Sequence, residues 1–510
     1  MSSTVFAYLL MISFLVFTIL TFYFGVKKRG RRIFLAAIYL LGILFVSYQG
    51  LYYAHNFGGT SPDETAHISY IYYLNVTDEI IPTFEDMHLF SSYVQKWSDN
   101  YYEYQEDTVN YVCHPPLYYQ IMRLAGGFSE TEDSSVIAID KNRIRHFSMC
   151  IHLIGLILLL YIGYSRITRS KPWLHLLYVT ACTSIPMLAY ELCAVTNDAL
   201  ALVTGCICII GLIRFSEKKR GYLTYILIAS GITASLLTKL TTALLCIIMA
   251  ILILGYSLYK ERSIKKALPY EFWVTAPIYV IAIFYYIIIY SRYHAIQPSL
   301  ELICSTEYFQ STIYYTEESA RVVMDKSQYL MYYLNKFFLS WSGIEGSVNL
   351  TKLTTFSKAT LPSELLWIFP VLLMIPRARK LSGHMSLPVF SGWISCLITF
   401  LIQIKSAYGS YLSRGYLGGF QSRYYLPFLF AFGMGAVFVF QSAQVDSDFD
   451  GDTETLTVTD IRTMTNKILY NNLIYLIALG YAFLLFYGNF PFFLMHFADV
   501  LMGTDFLRLN

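Results

Sequence analysis

The stretch Gly59-Thr60-Ser61-Pro62-Asp63-Glu64-Thr65-Ala66-His67 sets two adjacent carboxylates and an imidazole just past an apolar run long enough to cross a bilayer. Pro62 suits the first position of a helix, where its missing N–H goes unused, and Ser61 suits the N-cap. Asp63 and Glu64 then fall in the first turn, where the helix dipole favours negative charge, and Asp63 shares a face with His67 four residues on. Ionisable groups at a membrane boundary are costly unless hydrated or functional. A carboxylate held there can take a proton from a hydroxyl as a general base. Asp63 is the first candidate for that base and Glu64 the second.

Other polar groups recur where the apolar runs end. They are His114 in His114-Pro115-Pro116-Leu117-Tyr118-Tyr119, Asn197 and Asp198 in Thr196-Asn197-Asp198-Ala199, and Lys239 in Thr238-Lys239-Leu240-Thr241. Further on come Trp341 in Ser340-Trp341-Ser342-Gly343, Arg414, and Arg423 with Tyr424 in Gln421-Ser422-Arg423-Tyr424-Tyr425-Leu426-Pro427. Lys239, Arg414 and Arg423 could bind a phosphate, the Arg fork suiting its geometry. Trp341 and the tyrosines could stack on a sugar ring. Base, phosphate-binding cations and aromatic surfaces together fit glycosyl transfer from a lipid phosphate. Plainer readings stand beside these. His114 could mark a rigid turn, Asn197 and Asp198 could cap a helix, and Lys239 and Arg423 could snorkel to the interface.

These groups must be positioned by membrane helices. Of 510 residues, 56% are hydrophobic and 14% charged, against about 25% charged in a soluble protein. A net charge of +3 points to no nucleic-acid partner. Nine cysteines without a CxxC pair make neither a disulfide framework nor a zinc site. About twelve apolar runs approach the ~20 residues of a spanning helix, near 5–25, 33–53, 147–165, 173–191, 198–215, 222–238, 240–259, 273–291, 364–376, 388–404, 424–441 and 469–488. The first is read as a retained helix rather than a signal peptide. Lys and Arg cluster in every second connection, after the first, third, fifth, seventh and ninth runs, which makes those loops cytoplasmic. All the polar motifs above then lie on the outer face.

The expected layout is an extra N-terminal helix and basic loop over 1–32, and a transmembrane catalytic domain over 33–440. Outer loops run about 53–145, 292–361 and 405–423. An acidic cytoplasmic loop over 441–467 and a last helix with an outer tail over 468–510 complete the chain. The first outer loop holds 14 Asp/Glu against 5 Lys/Arg, and its apolar stretches 66–75 and 115–125 predict helices lying along the membrane surface. Three lookalikes fail. Asp63-Glu64-Thr65-Ala66-His67 lacks the first His of a zinc HExxH motif, no phosphate loop accompanies it as a helicase would need, and the EF-hand-like Asp446–Asp452 ends on Thr457 instead of Glu.

Five motifs in order, PDETAH, HPPLYY, TNDALA, TKLT and QSRYYLP, resemble those of a long-uncharacterised family of multi-pass bacterial membrane proteins, whose usual versions read PDExxH, HPPLYY, NDA and GRYxLP. That family is similar to the GT-C integral membrane glycosyltransferases, and the resemblance covers roughly residues 33 to 440. It implies an all-α, GT-C-like polytopic fold with interfacial helices in the first outer loop. It also implies a polyprenyl-phosphate sugar donor, an inverting displacement, and a catalytic acid in that loop, mapping onto Asp63 with Glu64 beside it. Some such enzymes use a divalent metal, Mg or Mn, and others none; Asp63 and Glu64 are the pair that could hold one. The departures are Ser422 where Gly is usual before Arg-Tyr, Ser342-Gly343 after the aromatic Trp, and the extra first helix.

The expected function is transfer of a sugar to an outer-face polysaccharide, teichoic acid or lipid-linked precursor at the cell membrane. Asp63 is the base, Glu64 or His67 orients the acceptor or holds a metal, and Arg414 and Arg423 neutralise the leaving phosphate. His114, Asn197, Asp198, Lys239, Trp341 and Tyr424 line the substrates. The alternatives are a transporter or flippase for a lipid-linked sugar, and an inactive scaffold in polysaccharide assembly. Transporters favour midplane charges and inverted repeats, neither of which is visible here.

Overall fold

The computed structural model describes residues 3–56, 63–92, 101–131, 136–341, 361–445 and 458–496. Ser61, Pro62, Ser342, Gly343 and the EF-hand-like segment lie outside them. Among the described residues nine helices are long and apolar enough to cross a membrane, the first and last being Ser3–Val26 and Thr465–Tyr487. Three further apolar runs of the sequence form shorter pieces. Tyr222–Leu236 and Leu361–Leu372 fall below spanning length. The run 173–191 breaks into two helices, because Pro186 has no N–H to continue the first and holds Ile185 extended.

In chain order the helices that place the site are α1 (Ser3–Val26), α2 (Arg31–Asn56), α3 (Glu64–Thr77), α4 (Leu117–Met122), α5 (Lys141–Arg166), α6 (Pro172–Thr183), α7 (Pro186–Leu192), α8 (Asp198–Ser216), α9 (Tyr222–Leu236) and α10 (Leu240–Glu261). Burial ranks them. Only 17% of the α1 span is covered by protein, against 72% of α8 and 78% of Ser422–Ala443, so α1 is peripheral and the latter two are central. Small residues permit the central approach. A Cβ on Gly231 of α9 would sit 2.5 Å from the Cys208 backbone nitrogen of α8, and one on Gly205 would sit 2.7 Å from Pro427. In lipid, where apolar side chains gain little by leaving the solvent, such backbone-to-backbone contact is what holds helices together.

The segment between α2 and α5 carries the two expected helical stretches, as α3 and α4. It also carries a four-stranded antiparallel sheet that the sequence reading missed. Its strands are β1 (Leu89–Ser92), β2 (Tyr101–Gln105), β3 (Phe128–Glu130) and β4 (Val136–Ile139), in the order β1-β2-β4-β3. Tyr102 pairs with Ile137 across β2 and β4, both buried. Tyr70, Leu74, Phe84, Tyr118, Tyr119 and Ile139 close a second apolar core beneath this segment. That core fixes α3 against α4, and with it the spacing of the residues that precede each helix.

Candidate functional site

Asp63 does not enter α3 as a first-turn residue. It is the N-cap, in the left-handed conformation at φ 65°, where Asp is one of the few residues found with any frequency. Its carboxylate makes no capping bond. It points instead into the fold, where Oδ1 accepts a hydrogen bond from the Tyr111 hydroxyl at 2.8 Å and Oδ2 pairs with Arg423 Nη2 at 3.1 Å. Arg423 is brought there by a sharp change of direction. Gly415, left-handed at φ 70°, ends the helix Ser386–Arg414, and a 3-10 turn over Ser422–Phe428 follows, packed on Gly205 of α8.

The Arg423 guanidinium is shared by three carboxylates. Besides Asp63, Nη1 lies 3.3 Å from Glu191 at the end of α7 and Nε lies 3.4 Å from Asp198 at the start of α8. Lys239, at the turn into α10, donates from Nζ to Asp198 at 2.6 Å and lies 4.3 Å from the centre of the Tyr424 ring. Asn197 ties the α7–α8 turn to the α9–α10 turn by donating to the Thr238 carbonyl at 3.0 Å. Five chain segments therefore meet around two cations. The carboxylates differ in one respect. The Asp63 side chain is 35% exposed, while those of Glu191 and Asp198 are 1% and 3% exposed.

Burial raises the Asp63 pKa, but Arg423 and the Tyr111 hydroxyl outweigh it and hold the group below the ordinary carboxylate value. Tyr111 is pushed up, by burial first and by Asp63 second, so its proton stays on the phenol. His67 and His114 lie side by side with ring centres 6.1 Å apart. Burial drives both down to about 3, with Lys239 adding to the effect in each, so both rings are neutral at pH 7. His67 Nδ1 bonds the Tyr119 hydroxyl at 2.8 Å and His114 Nδ1 bonds Gln297 at 3.1 Å. Lys239 too is lowered by burial, against the pull of Asp198.

Asp63, His67, His114, Asn197, Asp198, Lys239, Arg423 and Tyr424 thus form one connected cluster. Three expected site residues do not join it. Glu64 turns the other way: its side chain is fully buried, and Arg145 of α5 takes both oxygens, at 2.8 and 2.6 Å. Trp341 is buried against Trp367 and Phe432 with no face for a sugar. Arg414 pairs with Glu301 at 2.6 Å in a separate cleft of about 350 Å³ beside Phe309. A Mg or Mn ion on Asp63 and Glu64 does not fit this geometry, since Arg145 occupies one carboxylate and Tyr111 with Arg423 the other. Among the described residues no three His, Cys, Asp or Glu side chains are grouped to hold a metal.

Four contributors went unread in the sequence. Glu191 hides at the end of an apolar run, where a lone acid was itself the signal. Tyr111 and Tyr314, with ring centres 5.1 Å apart, and Tyr416, 5.2 Å beyond, form a half-buried aromatic row beside Asp63. No local pattern marks those three among 45 tyrosines.

No protein-family model matches the chain, and no curated protein does. In fold it is similar to two solved structures. One is ArnT from Cupriavidus metallidurans bound to undecaprenyl phosphate, at 12% identity over 93% of this chain and 78% of that one, TM-score 0.44. The other is the same organism's ArnT in the apo state, at 10% identity over 92% and 77%, TM-score 0.42.

Proposed function

We propose that this chain is an inverting, GT-C-type membrane glycosyltransferase that moves a sugar from a polyprenyl-phosphate donor to an outer-face polysaccharide, teichoic acid or lipid-linked precursor. The observation that carries the reading is Asp63. It is ionised, partly open to the outside, and hydrogen-bonded to a cation that two buried carboxylates hold from behind. The acceptor oxygen attacks C1 of the donor sugar. The C1–O bond to the lipid phosphate breaks with its electron pair on the phosphate, and the acceptor proton passes to Asp63. Arg423, rather than Arg414, is the cation next to that event. Tyr111, Tyr314 and Tyr416 take the stacking role first expected of Trp341, and neutral His67 and His114 offer hydrogen bonds to sugar hydroxyls. Glu64 is a scaffold residue.

Asp63→Asn is the test, because Asn also tolerates the left-handed conformation and so removes the charge without straining the backbone. Sugar composition and linkage of the surface polymer are compared in cells making wild-type or variant protein at matched levels. Loss of one sugar linkage is the expected result. A well-expressed Asp63→Asn protein that still transfers sugar ends the assignment. Loss of the whole polymer would favour export.

A further inference from the structure

The far end of the bundle holds a second feature that the transfer reaction does not use. α10 runs from Leu240, next to Lys239 of the cluster, to Glu261 at the opposite end, a rise of about 33 Å for its 22 residues. There, a cleft of about 460 Å³ opens between the C-terminal ends of α8 and α10 and the start of the helix Ser386–Arg414. Its floor is apolar, with Phe215, Leu387 and Phe390 among its walls. Its rim is basic, with Lys218, Arg220, Lys260 and Arg379 against the single carboxylate of Glu261. Arg220 holds both oxygens of Glu261, at 2.6 and 2.7 Å, and Lys218 also pairs with it, so that carboxylate is already neutralised. Lys260 and Arg379 stand exposed. Tyr256 and Met374, also in the lining, open the apolar floor toward the outside of the bundle.

We infer that this cleft binds an anionic phospholipid, its phosphate on Lys260 and Arg379 and the first part of its acyl chains on the apolar floor. Basic pockets between helix ends on a positively charged membrane face suit anionic headgroups. The helix dipoles alone do not explain the site, since α8 and α10 present their negative C-terminal ends here; the four cations must outweigh them. Because the cations form a rim over an apolar floor, the fit is to an amphiphile rather than to free phosphate. Position matters as well, for the cleft lies at the ends of helices long and apolar enough to cross a membrane.

The test uses the full chain in zwitterionic nanodiscs, with phosphatidylglycerol added in steps and protein-bound lipid counted by native mass spectrometry. Wild-type protein should retain one phosphatidylglycerol at least tenfold more tightly than phosphatidylcholine. The Lys260→Gln/Arg379→Gln pair, both at exposed positions, should lose that preference, and Lys260→Arg/Arg379→Lys should keep it. Equal retention of the two lipids by wild type, or undiminished preference in the Gln pair, overturns the inference. Displacement by soluble glycerol phosphate at matched concentration also overturns it, by making the site one for a small anion.

Discussion

Two neighbouring carboxylates make opposite predictions. Glu64 is buried to 1% exposure, and its side chain accepts two charge-assisted bonds from Arg145 and a third from the Val195 N–H at 3.3 Å. In Glu64→Gln the new amide turns a donor toward a donor and leaves the Arg145 charge buried without its counter-ion. Breaking a buried pair from one side costs ~3–5 kcal/mol. Because the Arg145 side chain retains 17% exposure, water recovers part of this and the low end, ~3 kcal/mol, is expected. Asp63→Asn removes a charge from a 35% exposed group whose partner Arg423 keeps Glu191 and Asp198, so its stability cost should stay near ~1 kcal/mol. The assay is the thermal midpoint in detergent, followed by fluorescence-detected size exclusion, beside sugar transfer per folded molecule. Glu64→Gln should melt much earlier yet retain activity at low temperature, whereas Asp63→Asn should melt near wild type without activity. An apolar double replacement, Glu64→Leu/Arg145→Met, should recover most of the lost stability. If Glu64→Gln is fully stable but inactive while Asp63→Asn transfers sugar, the roles are reversed and the geometric reasoning is refuted.

Arg423→Lys should lose both stability, by ~3–5 kcal/mol, and activity, because a point-charge ammonium cannot reach three carboxylates as the guanidinium fork does; a stable, active Arg423→Lys protein would contradict the shared-cation geometry. Asp63 is held below the ordinary carboxylate value partly by the Tyr111 hydroxyl, so the acid limb of kcat/KM should lie below the ordinary carboxylate range and move upward in Tyr111→Phe; an unmoved limb would count against Asp63 as the titrating base. His67 and His114 are driven down to about 3 in the folded protein, while unfolded His titrates near ~6.5. Between those values the unfolded state binds more protons, so their contribution to stability is full above pH ~6.5 and falls as pH drops toward 3. The melting midpoint should therefore decline from pH 7 to pH 5, and less steeply in His67→Gln.

What could be read from the chain divides by the range of the interaction. Span positions and the alternation of basic turns depend on local composition, and the helical stretches at α3 and α4 were legible for the same reason. Asp63, Asp198, Lys239 and Arg423 could be grouped because each sits where an apolar run meets a turn, and topology sends those turns to one end. The fate of Glu64 was not legible, because Arg145, which takes it, lies 81 residues away. Trp341 looked like a sugar platform in sequence, yet its burial depends on Trp367 and Phe432. The small sheet has alternating residues in Tyr101–Gln105, but its pairing with Val136–Ile139 is fixed only by folding of the whole segment. Ser61 and Pro62, expected to open α3, lie outside the described residues, and Asp63 stands at the cap.

The charge arithmetic of the cluster ties base and leaving group together. Asp63 and Asp198 balance Arg423 and Lys239 in formal charge, and Glu191, whose carboxyl burial pushes up to about 7, adds a partial negative charge. A departing phosphate beside such a cluster meets no net positive charge until one carboxylate is neutralised. Proton transfer from the acceptor to Asp63 does this as charge builds on the phosphate, and it leaves Arg423 with one fewer anionic partner. Asp63→Asn imitates that protonated state. It should therefore bind polyprenyl phosphate, the product, more tightly than wild type while failing to make it. One unit charge at about 5 Å is worth ~3 kcal/mol at an effective dielectric constant of 20. Solvent at the exposed Asp63 reduces this to ~1.4 kcal/mol, a tenfold gain in affinity. Equilibrium binding of a short-chain polyprenyl phosphate to purified wild-type and Asp63→Asn protein measures it directly. Weaker binding by the variant would mean that Asp63 and the phosphate do not share Arg423, and the coupling would have to be abandoned even if Asp63 remained essential.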